Sequence, residues 1–594
     1  MRAGLTAGPR WRVDLLALAA VGLAALGVWR AALGTFFTSD DLVAMARAAG
    51  LEPTPPTFRP LSAVLAARLQ FAAFGLAPAG YHAVNLGLHL LAAAGVYALA
   101  LRLSGARGTA AAAALIFACS GLAFTPLHAA SGIGDVLACA LLLAATLVHL
   151  EGRRRDRAPW LWSAAAIATA AALAKESAIA WPLVVIALEW RGARRWRAAL
   201  PALAAGIVSA AWLAIEGQVL RSEAYALSLG PGHLAINLAT YLRWCAEVGT
   251  PMRDAVAAAD PASWPAALAV LIAVALAIRW ERREPGHPIE AGALWLLAFL
   301  FPALPLAHHT YLYYLYIPWA GGAIALAAAG SALVRASRQR EGRVWRKLPE
   351  DLGTLIALLG LTAFLIAEAR AVALREQMTF DALPADRTLR EATLLEHSLM
   401  DLRAASLPPG TPVGFVNPVP RAAFQLPGET PEDGGGRTEY IPLEAVLRGG
   451  RAFRLFAPGL IDSGFAVTIP AGWLRVECFL YEQRGWLRSW GHGQQALTRQ
   501  GEFQAAAGRW AEAESSFALA RSLGDTLPAA ICGQAVALVQ IGRARDAAAL
   551  ADTFSRRWPG DPRVPILHAA LIARGSDPRL IQPFDPRLRA GAER

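Results

Sequence analysis

The chain has 594 residues, of which 56% are hydrophobic and only 17% are charged, and its mean hydropathy is +0.39. A soluble protein carries about 25% charged residues. The formal net charge is +11, but the arginines lie in clusters between apolar runs, as in membrane proteins, which argues against nucleic-acid binding. The five cysteines show no CxxC spacing, so neither a zinc site nor a disulfide framework is indicated.

Apolar runs of helix length occupy the chain from about residue 13 to 369. A helix needs about 20 apolar residues to cross the hydrocarbon of a bilayer, and the runs predict about eleven such spans. The first run follows a basic start, as a signal peptide does, but it is too long for one, so we interpret it as a retained helix. The predicted spans are 13–33, 79–101, 108–126, 132–150, 158–173, 177–190, 198–216, 264–279, 288–307, 312–333 and 350–369.

Positively charged residues alternate between the gaps that separate the spans. If the N-terminus is cytoplasmic, the cytoplasmic gaps hold the arginine clusters, and the short outer gaps hold almost nothing basic except Lys175. An odd number of spans then places everything after residue 370 outside, which is the periplasm for a bacterial inner membrane. Two outer loops are long, 34–78 and 217–263, and each contains an amphipathic stretch that suits a helix on the membrane surface.

The last third of the chain reads as soluble protein. Residues 370–490 combine a helical stretch with strand-like pieces and predict a small α+β module, whereas 491–594 are helical throughout. Within this helical part an offset of 34 residues carries Gly508 onto Gly542, Ala513 onto Ala547 and Pro528 onto Pro562. This period predicts tetratricopeptide-type repeats, which would bind a protein partner; two unrelated helical hairpins are the alternative.

Two adjacent carboxylates, Asp40 and Asp41, follow the first span at the predicted outer face. Carboxylates beside hydrocarbon are costly and usually functional. The alternative is a helix N-cap, because Ser39 or Asp40 would open the helix 41–49 in the same way.

The second span carries His82, Asn85 and His89 on one helical face. Polar groups on one face of a membrane helix point into the bundle or a wet cavity. They either line a site or only hold neighbouring helices by hydrogen bonds. The separation of the two histidines disfavours a metal site.

Further polar residues converge on the same predicted face of the membrane. An interfacial aromatic belt would explain the tyrosines of the stretch Tyr311–Pro318 equally well. A paired surface charge would explain the adjacent Lys175 and Glu176. These residues are His128 and Asp135, Lys175 and Glu176, His308 and His309, and the aromatic stretch Tyr311–Pro318.

In this order, the motifs resemble the GT-C glycosyltransferase superfamily, and within it the protein O-mannosyltransferase-like branch that carries tetratricopeptide repeats. The resemblance covers residues 13–369, and the repeats extend it. Two positions depart from the pattern, since Tyr313 and Ile133 stand where relatives often have arginines that would face a phosphate. The motifs are Asp40–Asp41, Phe58–Leu61, Tyr81–His89, Lys175–Glu176 and Tyr314–Pro318.

The resemblance implies a polytopic helical membrane enzyme that moves a sugar from a polyprenyl-phosphate carrier to a protein or glycan acceptor. Asp41 would be the general base, with Asp40 or Asp135 orienting the acceptor. A need for a divalent metal stays open. The remaining roles implied are donor phosphate or sugar binding by Lys175, Arg59, His309, Tyr313 and Tyr316, and lining of the acceptor site by His82, Asn85, His89, His128 and Glu176.

Two other functions stay open. The missing arginines favour a non-catalytic scaffold whose degenerate membrane core holds a partner-binding repeat domain. A polysaccharide polymerase or ligase would also use a lipid-linked glycan outside the membrane, but periplasmic arginines would dominate its site. Only Arg59 and the loop arginines 221, 243 and 253 qualify for that role.

Overall fold

The computed structural model describes residues 10–191, 196–216, 226–251, 261–281, 287–308, 310–339, 351–380, 382–416, 441, 443–481, 486–524 and 526–573. These residues form two compact units. The first contains the described residues up to Thr393, and the second contains the described residues that follow.

The first unit is helical apart from one short hairpin. Its helices are α1 (Arg10–Trp29), α2 (Asp41–Ala48), α3 (Ala67–Phe74), α4 (Pro78–Ser104), α5 (Arg107–Ala118), α6 (Phe124–His128), α7 (Ile133–Arg155), α8 (Ala158–Ala174), α9 (Trp181–Arg191), α10 (Trp196–Glu216), α11 (Pro231–Ala246), α12 (Trp264–Glu281), α13 (Pro288–Leu300), α14 (Tyr316–Gln339) and α15 (Leu352–Gln377). The hairpin is β1 (Thr379–Phe380) with β2 (Leu383–Pro384), and α16 (Arg387–Ala404) begins directly after it.

Small residues let the helices of this unit approach closely. A Cβ atom at Gly292 on α13 would overlap with the backbone of Gly321 on α14, and one at Gly95 on α4 would lie 2.9 Å from Leu143 on α7. Many of the fully buried residues of α5 and α8 are alanines. Close backbone approach at small residues is how membrane helices associate where burial from water offers no gain.

Six helices of the described residues are long and apolar enough to cross a membrane, or seven if the broken pair Arg107–Ala118 and Gly121–His128, bent by 45°, is one span. The chain is therefore a multi-pass membrane protein. Each predicted span falls on a helix, but several of these helices are short, so the count of eleven stays a prediction. Helix α15 continues to Gln377, beyond the predicted end at residue 369.

We expect the chain beyond α15 to lie outside the cytoplasm, because an odd number of spans would follow a cytoplasmic N-terminus. Alkaline phosphatase fused after Gln377 should then be active, since this reporter works only after export. A fluorescent protein that matures only in the cytoplasm, fused at the same position, is the matched control. Bright fluorescence together with an inactive phosphatase would contradict the topology.

The second unit combines a small sheet with a run of helices. Strand β3 (Pro412–Val416) lies between β4 (Ile461–Ala466) and β5 (Glu477–Tyr481) and is parallel to both, and β6 (Leu487–Gly491) pairs antiparallel with β5. Two short helices, α17 (Leu443–Val446) and α18 (Arg451–Phe456), precede β4. The α+β module predicted for residues 370–490 thus contains a four-stranded sheet among the described residues.

The helical run repeats at the spacing read from the sequence. Helices α19 and α20 are followed by α21 and α22 at nearly constant offset, and α23 comes last. Gly508 and Gly542 occupy equivalent turns with positive φ, which glycine adopts without strain. Phe517 packs against Gly501 and Gly533, where a Cβ atom would overlap with its ring. Assignment to the tetratricopeptide class stays a prediction. The helices are α19 (Gly493–Ala506), α20 (Trp510–Ser522), α21 (Pro528–Gln540), α22 (Ala544–Arg557) and α23 (Arg563–Ala573).

Ala513 and Ala547 are fully buried, as the repeat alignment predicts. We expect Ala513→Trp or Ala547→Trp to lower the free energy of unfolding of the repeat domain by about 1–3 kcal/mol through overpacking. Chemical denaturation measures this change. Ala511→Trp is the matched control, because Ala511 is exposed on the same helix as Ala513. If both buried variants unfolded like the control, the 34-residue match would be accidental.

Candidate functional site

A bent connection of residues 118–132 joins α5 to α7. Helix α5 ends at Ala118, a 3-10 turn at Gly121–Ala123 leads into α6, and a second turn at Ala130–Gly132 precedes α7. Ser120 opens the first turn, where its hydroxyl accepts a hydrogen bond from the Leu122 N–H. Gly132 is the last residue of the connection. Its backbone lies so close to Pro126 that a Cβ atom there would overlap with the Pro126 backbone. The predicted span 108–126 is therefore broken.

The polar face of α4 binds this connection. His82 Nδ1 lies 2.9 Å from the Leu127 carbonyl oxygen, and the Asn85 amide donates to the Ala129 carbonyl at 3.0 Å and to the Pro126 carbonyl at 3.2 Å. His82 and Asn85 are almost completely buried. Both side chains thus bind carbonyl groups of the irregular backbone.

His89 lies at the break itself. Its Nε2 is 3.0 Å from the Ala118 carbonyl oxygen, which also accepts the Trp29 indole N–H at 2.8 Å. A carbonyl only accepts, so Nε2 carries the hydrogen, and Nδ1 accepts from the Tyr316 hydroxyl at 2.9 Å. His89 and Tyr316, predicted to line the site and to bind donor, are engaged with each other at this break and fully buried.

Asp41 holds the far end of the bent connection. Its carboxylate accepts backbone N–H groups from Thr38 at 2.7 Å, Ala130 at 3.3 Å and Ser131 at 2.6 Å. The residue is 2% exposed. A carboxylate offers about four lone-pair directions, so three donors leave one for another partner. Asp41 therefore has a structural role in this arrangement, and these three donors leave one of its lone-pair directions unused.

Asp40 is exposed at the start of α2 and makes no side-chain capping hydrogen bond. The Ser39 hydroxyl donates to Glu391 of α16 at 2.8 Å, and none of its described hydrogen bonds caps the helix. Neither predicted cap forms. Asp41, the first residue of α2, instead accepts a hydrogen bond from the N–H of Thr38, which precedes the helix. The exposed Asp40 and the buried Asp41 are thus placed for different tasks.

A first ion pair lies beside the predicted outer end of α8. Both oxygens of Glu176 accept from the Arg59 guanidinium, each at 2.6 Å. Arg59 precedes a π-helical turn at Pro60–Ala66, where Ser62 donates to the Ala174 carbonyl and so fixes this turn on α8. Burial raises the pKa of Glu176, but Arg59 and Lys175 outweigh burial and lower it to about 2. The carboxylate is therefore ionised at neutral pH.

A second ion pair lies next to the first in the chain. Lys175 Nζ is 3.0 Å from Asp135, and both residues are more than nine-tenths buried. Asp135 lies in the first turn of α7, where the helix dipole favours a negative charge. The rings of Tyr313 and Tyr314 face Lys175 Nζ, with centroids at 5.2 and 5.6 Å. These pairs join residues far apart in sequence into one cluster.

Helix α15 supplies three residues that the sequence analysis did not select. Glu368 accepts from the Gly121 N–H, Arg375 lies 3.9 Å from the centre of the Phe124 ring, and Glu376 lies 3.2 Å from His128 Nε2. His128 itself also bonds to its own helix, through Nδ1 and the Phe124 carbonyl. Ionised residues near the end of an apolar run are the signal that could have identified them.

A small groove borders the Arg59–Glu176 pair. Helices α8 and α10 supply most of its walls, which are largely apolar. His309, predicted to face the phosphate, lies outside the described residues, as do Arg221 and Arg253. Among the described residues there is no group of three His, Cys, Asp or Glu side chains that could hold a metal. The groove is lined by Phe58, Ala172, Leu173, Glu176, Ile179, Ser209, Trp212 and Leu213.

No protein-family model and no curated protein matches this chain. The chain is similar to two solved structures of ArnT from Cupriavidus metallidurans. For the apo form, identity is 16%, coverage is 74% of this chain and 85% of that one, and the TM-score is 0.39. For the form bound to undecaprenyl phosphate these values are 15%, 77%, 90% and 0.40.

The chain is also similar to the archaeal oligosaccharyltransferase AglB from Archaeoglobus fulgidus, solved in complex with an inhibitory peptide and a dolichol-phosphate. Identity is 13%, coverage is 68% of this chain and 62% of that one, and the TM-score is 0.41. At these TM-scores the likeness assigns neither a fold nor an activity to this chain.

Proposed function

We propose that the chain is a GT-C type membrane glycosyltransferase that moves a sugar from a polyprenyl-phosphate donor to a protein or glycan acceptor in the periplasm. The observation that carries the proposal is the pair of adjacent ion pairs, Arg59–Glu176 and Lys175–Asp135, beside an apolar groove. A buried lysine is costly in a membrane and usually serves a function. The bacterial inner membrane and the protein O-mannosyltransferase-like branch belong to this proposal.

On the donor side, Lys175 and Arg59 stabilise the charge that develops on the departing phosphate. Such stabilisation is strongest where water is scarce, as it is around the buried Lys175. Arg59 and Lys175 each form an ion pair with a carboxylate. Binding of a phosphate therefore requires each cation to share or exchange its carboxylate partner. Tyr313, whose ring faces Lys175, packs against the sugar or donates a hydrogen bond. The apolar groove between α8 and α10 accepts the polyprenyl tail.

On the acceptor side, Asp41 removes the proton from the attacking hydroxyl. Its fourth lone-pair direction is the one that an acceptor hydroxyl would use. The exposed Asp40 orients the acceptor from the solvent side. The helical repeats of the second unit bind a protein partner.

The second candidate is a non-catalytic membrane scaffold with a partner-binding repeat domain. It is favoured by the hydrogen bonds of Asp41 and by the pairing of each site cation with a carboxylate, because stable contacts of this kind need no substrate to explain them. A polysaccharide polymerase or ligase is less well supported, since the described part of the cluster holds as many carboxylates as cations.

Photo-crosslinking tests the donor assignment. A polyprenyl phosphate with a photoreactive group in its first isoprene unit, incubated with the purified protein in lipid nanodiscs, should label peptides of α8 and α10. Excess unlabelled polyprenyl phosphate should abolish the labelling, whereas a polyprenol without the phosphate should not. Equal competition by the polyprenol, or labelling spread over all spans, would remove the basis for a phosphate donor.

A further inference from the structure

Helix α15 is exposed along most of its length and contacts the bent connection with one face. Only about a tenth of its most apolar stretch is buried, and Leu355, Leu358 and Ile366 are exposed. The two buried charges on this helix, Glu368 and Arg375, are seven residues apart and therefore share a face. That face, which also buries Ala371 and Val372, packs the end of α15 against the bent connection.

Glu368 ties three chain segments together. One carboxylate oxygen accepts from the Gly121 N–H at 2.5 Å and from the Ser120 hydroxyl at 3.3 Å, and the other accepts from the Gly249 N–H at 3.0 Å. The residue is 1% exposed. These three groups are uncharged donors, so the interaction fixes their positions through hydrogen bonds.

Helix α15 also lies close to Gly249, in the segment after α11. Gly249 has a φ of +78°, and a Cβ atom there would lie 3.0 Å from the Ala367 side chain. A glycine at this position therefore permits both the turn and the close approach to α15. Glu368 thus receives one N–H from the bent connection and one from the Gly249 turn in a single arrangement.

We infer that Glu368 is a positioning residue for the transfer reaction, an inference that rests on the proposed function. It fixes the start of the bent connection at Gly121, and the end of the same connection carries the Ala130 and Ser131 N–H groups that hold Asp41. A displacement at the start is therefore transmitted along a short, mostly buried segment to the carboxylate that acts as base. The described hydrogen bonds of Glu368 go to the bent connection and to the Gly249 turn, and not to the donor-side residues Arg59, Lys175 or Tyr313.

Steady-state kinetics with the purified full-length protein test this role. Glu368→Ala should lower kcat about 10- to 100-fold, as a misplaced catalytic group does, and leave the Kd for polyprenyl phosphate unchanged. Glu368→Gln keeps one accepting oxygen and should recover part of kcat. Arg370→Gln is the matched control, because Arg370 is exposed on the same helix. Values of kcat for both Glu368 variants equal to the control, or a parallel loss of kcat and donor affinity, would overturn the inference.

A readout without activity separates this inference from the proposed function. Ala130, only 5% exposed, is replaced by cysteine in a Cys245→Ser background and treated with a membrane-impermeant maleimide. Labelling should become faster with Glu368→Ala and not with Arg370→Gln. Unchanged labelling would overturn the positioning role whatever the enzyme does. Faster labelling in a protein that transfers no sugar would refute the proposed function and leave Glu368 as the residue that orders this connection.

Discussion

Replacing Asp41 by asparagine is expected to lower sugar transfer about 10²- to 10⁴-fold, because the acceptor hydroxyl loses its base. Donor binding should change little, since we assign Asp41 to the acceptor side and its described hydrogen bonds, with Thr38, Ala130 and Ser131, involve neither Arg59 nor Lys175. Transfer from a labelled donor measures the first effect, and a donor-binding isotherm measures the second. Near-normal turnover would remove Asp41 from the role of base.

The asparagine also has a structural effect that needs a control. Its NH₂ group would face backbone N–H donors that the carboxylate now satisfies. Asn85→Ala disturbs the same connection from the other side, by releasing the Pro126 and Ala129 carbonyls, and leaves the carboxylate in place. If the two variants lose activity to the same degree and unfold at the same temperature, Asp41 only holds the connection.

Removing Lys175 is expected to weaken donor binding and to slow transfer as well, because we assign its charge to the phosphate both before and during the reaction. In Lys175→Ala the buried Asp135 would lose its partner, and an unpaired buried charge costs about 3–5 kcal/mol of stability. The single variant alone therefore cannot separate substrate binding from folding. Donor affinity and thermal unfolding should be measured on the same sample.

The double variant Lys175→Met with Asp135→Leu makes that separation. Both charges are removed and the volume is roughly kept, so the fold should be restored. Donor affinity should stay low if Lys175 binds phosphate. Recovery of donor affinity and transfer in the double variant would mean that Lys175 serves only to neutralise Asp135.

Hydropathy alone located the helices of the membrane domain, since each of the predicted spans falls on a helix. It did not reveal the break after Ala118, because Cys119, Ser120 and Gly121 interrupt the apolar run only weakly. The break depends on partners elsewhere, namely His89, Trp29 and Glu368, which satisfy the backbone groups that it exposes. Such long-range satisfaction has no local sequence signal.

Helical periodicity correctly grouped His82, Asn85 and His89 on one face, but it left their partners undetermined. The structure favours the alternative in which these residues hold neighbouring segments by hydrogen bonds. The pairing of Arg59 with Glu176 and of Lys175 with Asp135 was likewise not predictable from spacing, because each pair joins segments separated by whole spans. The contacts of these polar residues are thus assigned by the structure and not by the sequence pattern.

The most direct test of the proposed glycosyltransferase activity is sugar transfer by the purified protein in proteoliposomes supplied with a panel of polyprenyl-phosphate sugars. We expect at least one donor to release polyprenyl phosphate and to transfer its labelled sugar to an acceptor. This turnover should be lost in Asp41→Asn and kept in Arg370→Gln. No release from any donor, together with a cellular phenotype that depends only on residues 494–594, would contradict the account and favour a membrane scaffold.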